Sequence, residues 1–301
     1  MGREFNFIQH NQINKEKWNA LVDRADNALI FCYSWYLDSF CKWDAVVLGD
    51  YDGAIALPIS KKMGFSKLFQ PNFIQKNIWF GTELDPSDLL KLWTMISRRS
   101  TLVHFNTNLR LNLNASSRVN LTLHLTDAQT VKLGYSKSLV KNINKHKPSL
   151  TIKESKNPLT AIELYKNAYG LLNPQLNNLD YDKLLALYER RPTNFLCIEV
   201  TGEGQVLAGL VFAKGKRRLH YILGAPNSKG RKANAISVAI DYIIETYANQ
   251  SYILDFEGSS IPSVKMFYES FGAQNEPFYQ IETSPKWMTL LQLFYNKLLK
   301  S

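Results

Sequence analysis

Two carboxylates, Asp255 and Glu257, are separated by a single residue at the end of an apolar run. The run predicts a strand over 252–256, and positions i and i+2 of a strand point to the same face. Both carboxylates would then lie at the C-terminal end of this strand, where paired acids can transfer protons. The alternative is that Ser259 or Ser260 caps the following helix and that the acids only complement its dipole.

A cation-rich loop precedes a predicted helix over 233–247. Backbone amides at the start of a helix, together with cations and a glycine, suit a pyrophosphate group. The alternative is a flexible basic loop without a ligand. The candidate phosphate-binding residues are Lys229, Gly230, Arg231, Lys232, Ala233 and Asn234.

The net charge of +10 is distributed unevenly along the chain. No acidic residue lies between Asp127 and Glu154, a segment that holds Lys132, Lys137, Lys141, Lys145 and Lys147. A helix is predicted over 135–148, and three of these lysines would form a stripe at i, i+4 spacing. The stripe indicates either a solvated helix face or a landing site for a phosphate-rich ligand such as tRNA.

Several other classes of site have little support in the sequence. The five histidines show no metal-ligand spacing and no neighbouring nucleophile motif, so we expect no metal and no hydrolase chemistry. Cys32, Cys41 and Cys197 cannot all pair, which predicts buried thiols in a reducing compartment. No apolar run approaches the roughly 18 residues of a membrane span, and no signal peptide opens the chain. We therefore expect a cytoplasmic protein without a membrane span.

The elements that would position these residues occur twice in the same order. Residues 150–281 predict β-α-α-β-β-β-α-β-α-β, and the N-terminal half predicts nearly the same order. A shift of 151 residues lays Gly53 on Gly204 and Phe105 on Phe256. We infer an internal duplication of one α/β (α+β) domain.

This duplication predicts a domain division. It comprises an N-terminal domain over 1–134, a basic linker helix over 135–149 and a C-terminal domain over 150–285. An amphipathic helix over 286–301 would follow, docked on the protein itself, with attachment to a membrane surface as the alternative.

The segment LDFEGSSIPSVKMFYESFGA, residues 254–273, resembles the closing part of GNAT-superfamily acyltransferases of the FemAB-like branch. Three further segments add to the resemblance, which covers residues 5–282: Ser34-Trp35-Tyr36-Leu37, Leu57-Pro58-Ile59 and the basic segment 135–143. The resemblance implies two tandem GNAT-like domains with a cleft between them. Each would be a mixed, mostly antiparallel sheet flanked by helices.

The resemblance also implies an N-acyltransferase. An amine, for example on a cell-envelope precursor, would attack an acyl-CoA thioester or the ester of an aminoacyl-tRNA, without DNA as a partner. Glu257 and Asp255 would take the proton, and the phenol of Tyr268 would serve the leaving group. The implied substrate-binding residues are Trp35, Tyr36, Tyr221, Ser259 and Lys141.

The phosphate loop departs from the GNAT pattern. Where the pattern has Arg or Gln three residues before the first glycine, and Gly or Ala two residues after it, this chain has Asn227 and Lys232. A catalytically inactive binding protein with a GNAT fold is therefore the alternative. In the N-terminal copy the corresponding helix begins with Asp85 and Asp88, which would repel phosphate, so we expect that copy to be catalytically silent.

Overall fold

A computed structural model describes residues 3–62, 64–112, 115–258 and 261–284. Ser259 and the predicted C-terminal helix over 286–301 lie outside these ranges. The described strands are β1 Phe5–Ile8, β2 Asp44–Leu48, β3 Gly53–Leu57, β4 Ile59–Lys62, β5 Phe65–Leu68, β6 Phe80–Gly81, β7 Leu102–Thr107, β8 Ser116–Arg118, β9 Leu121–Leu125, β10 Thr151–Ser155, β11 Phe195–Gly202, β12 Gln205–Lys214, β13 Arg218–Pro226, β14 Tyr252–Asp255, β15 Gln274–Asn275 and β16 Phe278–Thr283. The described helices are α1 Lys15–Arg24, α2 Ser34–Phe40, α3 Pro86–Ser97, α4 Ala128–Leu133, α5 Lys137–His146, α6 Leu159–Tyr169, α7 Asn178–Arg190, α8 Ser228–Lys232, α9 Ala235–Tyr247 and α10 Pro262–Glu269. Within the described ranges, no helix is long and apolar enough to cross a membrane.

The chain forms two compact units. The first contains the residues up to Arg118 and those from Phe278 onward, and the second contains Val119–Pro277. The first unit has a sheet with the order β1-β2-β3-β6 and another with the order β4-β5-β7-β16-β8. The second unit has one sheet with the order β10-β11-β12-β13-β14-β9-β15. The mixed α/β class predicted from the sequence is confirmed.

Each unit contains one parallel strand pair in an otherwise antiparallel arrangement. In the first unit β5 lies parallel to β7, and in the second β13 lies parallel to β14. The next neighbour of β7 is β16, and that of β14 is β9, both antiparallel. The predicted repeat of element order thus corresponds to a repeated pairing pattern.

The unit boundaries differ from the domain boundaries predicted at 134 and 285. Strand β9, placed in the N-terminal domain by its position in the sequence, pairs with β14 of the second unit. Strand β16, placed in the C-terminal domain, pairs with β7 of the first unit. Each half of the chain therefore completes the sheet of the other, because these strands find their hydrogen-bonding partners across the repeat.

Helix α5 is the predicted basic helix, and it is part of the second unit, not a free linker. Ser136 caps it by accepting the backbone N–H of Leu139. Leu139 and Ile143 are buried in the same core as residues of α9. Lys147 reinforces this packing, since its Nζ lies 2.8 Å from the buried Oδ2 of Asp241 on α9.

Helix α6 lies directly on the sheet of the second unit because of one glycine. A Cβ added at Gly209 of β12 would lie 2.7 Å from the Cα of Ala161, so only glycine permits this approach. Tyr165 and Tyr169 follow Ala161 at i+4 and i+8, on the same side of the helix. The close approach thereby carries both tyrosines toward β13.

Candidate functional site

A cavity opens in the second unit where its two parallel strands part. The pairing of β13 with β14 runs only from Arg218–Ile253 to His220–Asp255, after which β14 ends and β13 continues. A bulge shifts the register of β13 against β12 beside Tyr221. The chain leaves β14 through Glu257 and Gly258, with φ angles of 60° and 70°. The opening forms a cavity of about 580 Å³, a size that suits a small-molecule substrate.

Glu257 lies on the wall of this cavity beside a buried histidine. Its Oε1 is 2.5 Å from Nδ1 of His220, whose side chain is fully buried, whereas the side chain of Glu257 is 15% exposed. An ionised Glu257 accepts a hydrogen bond from the Nδ1–H of His220. This carboxylate–imidazole pair can take up a proton released in the cavity.

Asp255, the second predicted proton acceptor, lies in a buried network of hydrogen bonds. Its carboxylate is fully buried, and Oδ2 accepts hydrogen bonds from Arg218 at 2.7 Å and from Asn120 at 3.3 Å. Its Oδ1 accepts the backbone N–H of Glu257 at 2.9 Å, which holds that residue in its left-handed conformation. Asp255 can therefore position Glu257. Its Oδ2 also lies 3.8 Å from Nδ1 of His220, so the two carboxylates meet at this histidine although the strand ends at Asp255. The predicted part of Asp255 in proton transfer stays a prediction.

Arg218 supplies the positive charge that neutralises two carboxylates of this cluster, those of Asp255 and Glu276. Besides Asp255, its guanidinium binds both carboxylate oxygens of Glu276. Burial acts to lower the pKa of Arg218, but the charges of Asp255 and Glu276 outweigh burial and raise it. The guanidinium is thus a permanent cation at the base of the site.

A second interpretation of the same cluster is a metal site. Ligand atoms of His220, Asp255 and Glu257 lie within 4.8 Å of one another. However, Arg218 already supplies the positive charge at Oδ2 of Asp255, and the His220 Nδ1 lies against Glu257. A divalent ion would have to displace both contacts.

Four tyrosines line the cavity: Tyr165, Tyr169, Tyr221 and Tyr268. The ring of Tyr268 stacks on Phe256 at a centroid distance of 4.4 Å. Burial raises the pKa of Tyr165 to about 12, and burial followed by the neighbouring phenols raises the pKa of Tyr221 and Tyr268 further. These phenols therefore stay protonated at neutral pH and act as neutral hydrogen-bond donors.

The predicted phosphate loop is a short helix, α8, followed by α9. Among its six candidate residues Gly230, Arg231 and Asn234 line the cavity, whereas Lys229, Lys232 and Ala233 are not among the lining residues. Lys229 instead donates to the side chain of Gln205 at 2.8 Å. The structure thus brings half of the predicted set to the cavity.

Gly230 has a packing role that the loop pattern did not indicate. Its N–H donates to the side chain of Asn227, and a Cβ added there would lie 2.0 Å from the carbonyl oxygen of Leu207. The first residues of α9, Ala235, Ile236 and Ser237, line the cavity, and Asn234 provides no side-chain cap. First-turn N–H groups have no partner within their helix, so α9 offers the helix start that a phosphate needs.

The remaining predicted residues lie elsewhere. Tyr36 is fully buried in the first unit and donates its hydroxyl to the carbonyl of Phe73, so its contacts are those of a core residue. Its substrate-binding role stays a prediction. Trp35 stacks on Tyr33 in the same unit. Lys141 is exposed on α5.

His220 and Arg218 were not predicted from the sequence as site residues. Both belong to the segment Arg218-Leu219-His220, in which the apolar residue alternates with two polar ones. That alternation places Arg218 and His220 on one face of a strand. The sequence did not show that this strand pairs with β14, because β13 and β14 are parallel neighbours separated in the chain by α8 and α9.

Helix α3 of the first unit begins among carboxylates. Asp85 caps α3 by accepting the N–H of Asp88, and Arg3 binds the buried Asp88. A backbone hydrogen bond from Asp88, with further hydrogen bonds from Ser87, lowers the pKa of Asp85. Carboxylates therefore occupy the position that a phosphate would need.

Comparisons with known proteins give structural matches only. Sequence searches match no established protein family and no curated protein. The structure of FemX superposes with a TM-score of 0.67 over 97% of this chain and 99% of its own, at 11% identity. The DUF2156 domain of a putative lysylphosphatidylglycerol synthetase from Agrobacterium fabrum gives 0.59 over 93% and 94%, at 11% identity. L-PGS from Bacillus licheniformis gives 0.54 over 94% and 95%, also at 11% identity. The chain therefore shares its fold with FemX, in agreement with the fold that the sequence resemblance predicts.

Proposed function

We propose that the protein is an acyl- or aminoacyltransferase whose reaction takes place in the cavity between β13 and β14. The observation that carries this proposal is the Glu257–His220 pair on the wall of the cavity, in a fold shared with FemX. The acceptor is a primary amine, for which a cell-envelope precursor is our first candidate. Both donor classes are cytoplasmic metabolites, so we place the reaction in the cytoplasm.

The proposed reaction needs one proton acceptor. The amine nitrogen attacks the carbonyl carbon, and the electron pair of the C=O bond moves to its oxygen. Glu257 takes the proton from the nitrogen, and His220 holds the carboxyl group of Glu257 in place by its hydrogen bond. The intermediate then collapses, the C=O bond re-forms, and the sulfur of CoA or the ribose oxygen of tRNA leaves. The leaving atom takes up a proton, for which the phenol of Tyr268 is the predicted donor, and the proton that Glu257 accepted from the amine restores that phenol. Neither step requires a covalent enzyme intermediate.

The donor would lie along β13, with its phosphates at the start of α9. Arg231 and the free first-turn amides of α9 provide the positive end of the cavity, and Glu257 provides the negative end. Acyl-CoA needs only this compact site. An aminoacyl-tRNA would also contact the exposed stripe of Lys137, Lys141 and Lys145 on α5.

The proposal is tested with a panel of acyl-CoA thioesters and aminoacyl-tRNAs. A true donor should raise the melting temperature by mass action and should support transfer to an amine. Glu257→Gln should lower kcat by roughly 10²–10⁴-fold while retaining the donor-induced shift, because only the proton acceptor is lost. Glu269→Gln on α10 makes the same change outside the cavity and should leave kcat unchanged. No shift and no transfer with any donor would instead favour a binding protein that keeps the fold.

A further inference from the structure

We propose that the hydroxyl of Tyr221 donates a hydrogen bond to the oxygen of the reacting carbonyl, which makes Tyr221 a further catalytic residue. This inference rests on the proposed function and assigns the group that stabilises the oxyanion. It starts from a hydroxyl in the cavity that the proton-transfer pair does not use.

Packing fixes the ring of Tyr221. The residue is 8% exposed, and its ring stacks on Phe212 with a centroid distance of 5.1 Å and an interplanar angle of 25°. Tyr268 meets it edge-on at 6.4 Å. The hydroxyl is consequently held in one place before any substrate arrives, which is the condition for electrostatic stabilisation of a transition state.

The hydroxyl lies over the backbone of β13, beyond the point where β14 has ended. A Cβ added at Gly224 would lie 2.1 Å from the hydroxyl oxygen, so a glycine is needed to accommodate it. Among the residues that the structure describes, this hydroxyl has no hydrogen-bond partner, whereas that of Tyr165 accepts from Asn173. Tyr221 lines the cavity, and its hydroxyl is not among the fully buried polar atoms of the described residues that lack a partner. The hydroxyl is therefore open to the cavity, where an oxygen of the substrate can accept its hydrogen bond.

The chemistry of the phenol suits an oxyanion. Burial raises the pKa of Tyr221 well above its ordinary value, so the group stays protonated and cannot compete with Glu257 for the amine proton. When the amine attacks, the carbonyl oxygen gains the electron pair of the C=O bond and accepts the hydrogen bond from Tyr221. When the leaving group departs, the C=O bond re-forms and the hydrogen bond weakens. Tyr221 keeps its proton throughout.

The test is Tyr221→Phe, which removes only the oxygen atom. We expect kcat to fall by roughly 10²–10³-fold, as for the loss of one oxyanion donor, with KM for both substrates within about twofold of wild type. The melting temperature should be unchanged or higher, because the variant removes a polar atom that lacks a partner. Tyr188→Phe, which removes a hydroxyl from α7 outside the cavity lining, should leave kcat unchanged.

Two results would overturn the inference while leaving the proposed function in place. The first is a Tyr221→Phe enzyme with wild-type kcat. The second is a lowered melting temperature in this variant, which would show that the hydroxyl has an intramolecular partner; that measurement needs no activity. A wild-type protein that transfers from no donor would refute the proposed function and this inference together, so the two failures are distinguishable.

Discussion

Replacing Asp255 by asparagine tests the positioning role most directly. The carboxylate accepts hydrogen bonds on both oxygens: Oδ1 from the N–H of Glu257, and Oδ2 from Arg218 and Asn120. An asparagine of the same shape offers one oxygen and one NH₂ group. Whichever way the amide is turned, its NH₂ faces a hydrogen-bond donor, so one side of the network is lost.

The expected loss of stability follows from the burial of the pair. Asp255 is fully buried and Arg218 is 15% exposed, so a lost charge-assisted hydrogen bond is not replaced by water. Arg218 retains its second carboxylate partner, Glu276, which limits the cost of breaking the ion pair. We expect about 2 kcal/mol of destabilisation in the second unit, in the range for hydrogen bonds to charged groups.

Hydrogen exchange is the assay that reports on the correct unit. The described tryptophans, Trp18, Trp35, Trp43, Trp79 and Trp93, all lie in the first unit, so their fluorescence does not follow the second. Amides of β13 and β14 in Asp255→Asn should exchange roughly 30-fold faster than in the wild type, which corresponds to about 2 kcal/mol.

The matched control makes the same change at an exposed ion pair. The side chain of Asp50 is 77% exposed beside Lys17, so Asp50→Asn should change exchange in the first unit by less than about twofold. Unaltered exchange in β13 and β14 of Asp255→Asn would refute the positioning argument. So would a kcat equal to wild type in that variant, since Glu257 would then not depend on Asp255.

Three further predictions concern the donor site and the core. Gly230→Ala should destabilise the second unit by about 1–3 kcal/mol, because the added Cβ would overlap the carbonyl oxygen of Leu207. The control Gly170→Ala should not, because its Cβ would meet no other atom. Equal melting temperatures of the two variants would contradict the packing role of Gly230. Burial raises the pKa of Cys197 to about 12, so in the native protein this thiol should resist alkylation at pH 8, whereas the partly exposed Cys41 should react. The free energy of unfolding should fall as the pH rises from about 9 toward 12, because over that range the thiol ionises only in the unfolded protein. Rapid alkylation of Cys197 in the native protein would disprove this. Replacing Lys137, Lys141 and Lys145 together by alanine should weaken tRNA binding and make it less dependent on salt concentration. An unchanged salt dependence would show that α5 is not part of the donor site.

Local sequence signals were sufficient for most helices and strands. Apolar periodicity and turn residues predicted most elements of both halves, although the short strands β5, β6 and β8 were not predicted. Capping residues mark helix starts such as Asn177 before α7. The predicted helix over 233–247 is α9, Ala235–Tyr247, but the short helix α8 before it was not predicted, and Asn234, with a φ of 49°, separates the two. A single left-handed residue leaves little trace in the pattern of apolar positions.

Strand exchange was beyond the reach of the sequence. The apolar residues of β9 and β16 predict that each is a strand, but not which sheet it joins. Pairing depends on backbone hydrogen bonds between distant segments, and every apolar strand offers the same N–H and C=O groups. The domain boundaries therefore moved although the elements themselves were predicted.

For the candidate site, residue types and strand position predicted Glu257 and Asp255, and the family resemblance implied that Tyr268 serves the leaving group. Tertiary structure decided the partners and the burial of these groups. It ended β14 one residue earlier than predicted, buried Asp255 against Arg218, and brought His220 to Glu257 through a parallel register. The physical reason is that the linear spacing of charges shows which groups are available, whereas their burial and partners are set by segments far away in the chain.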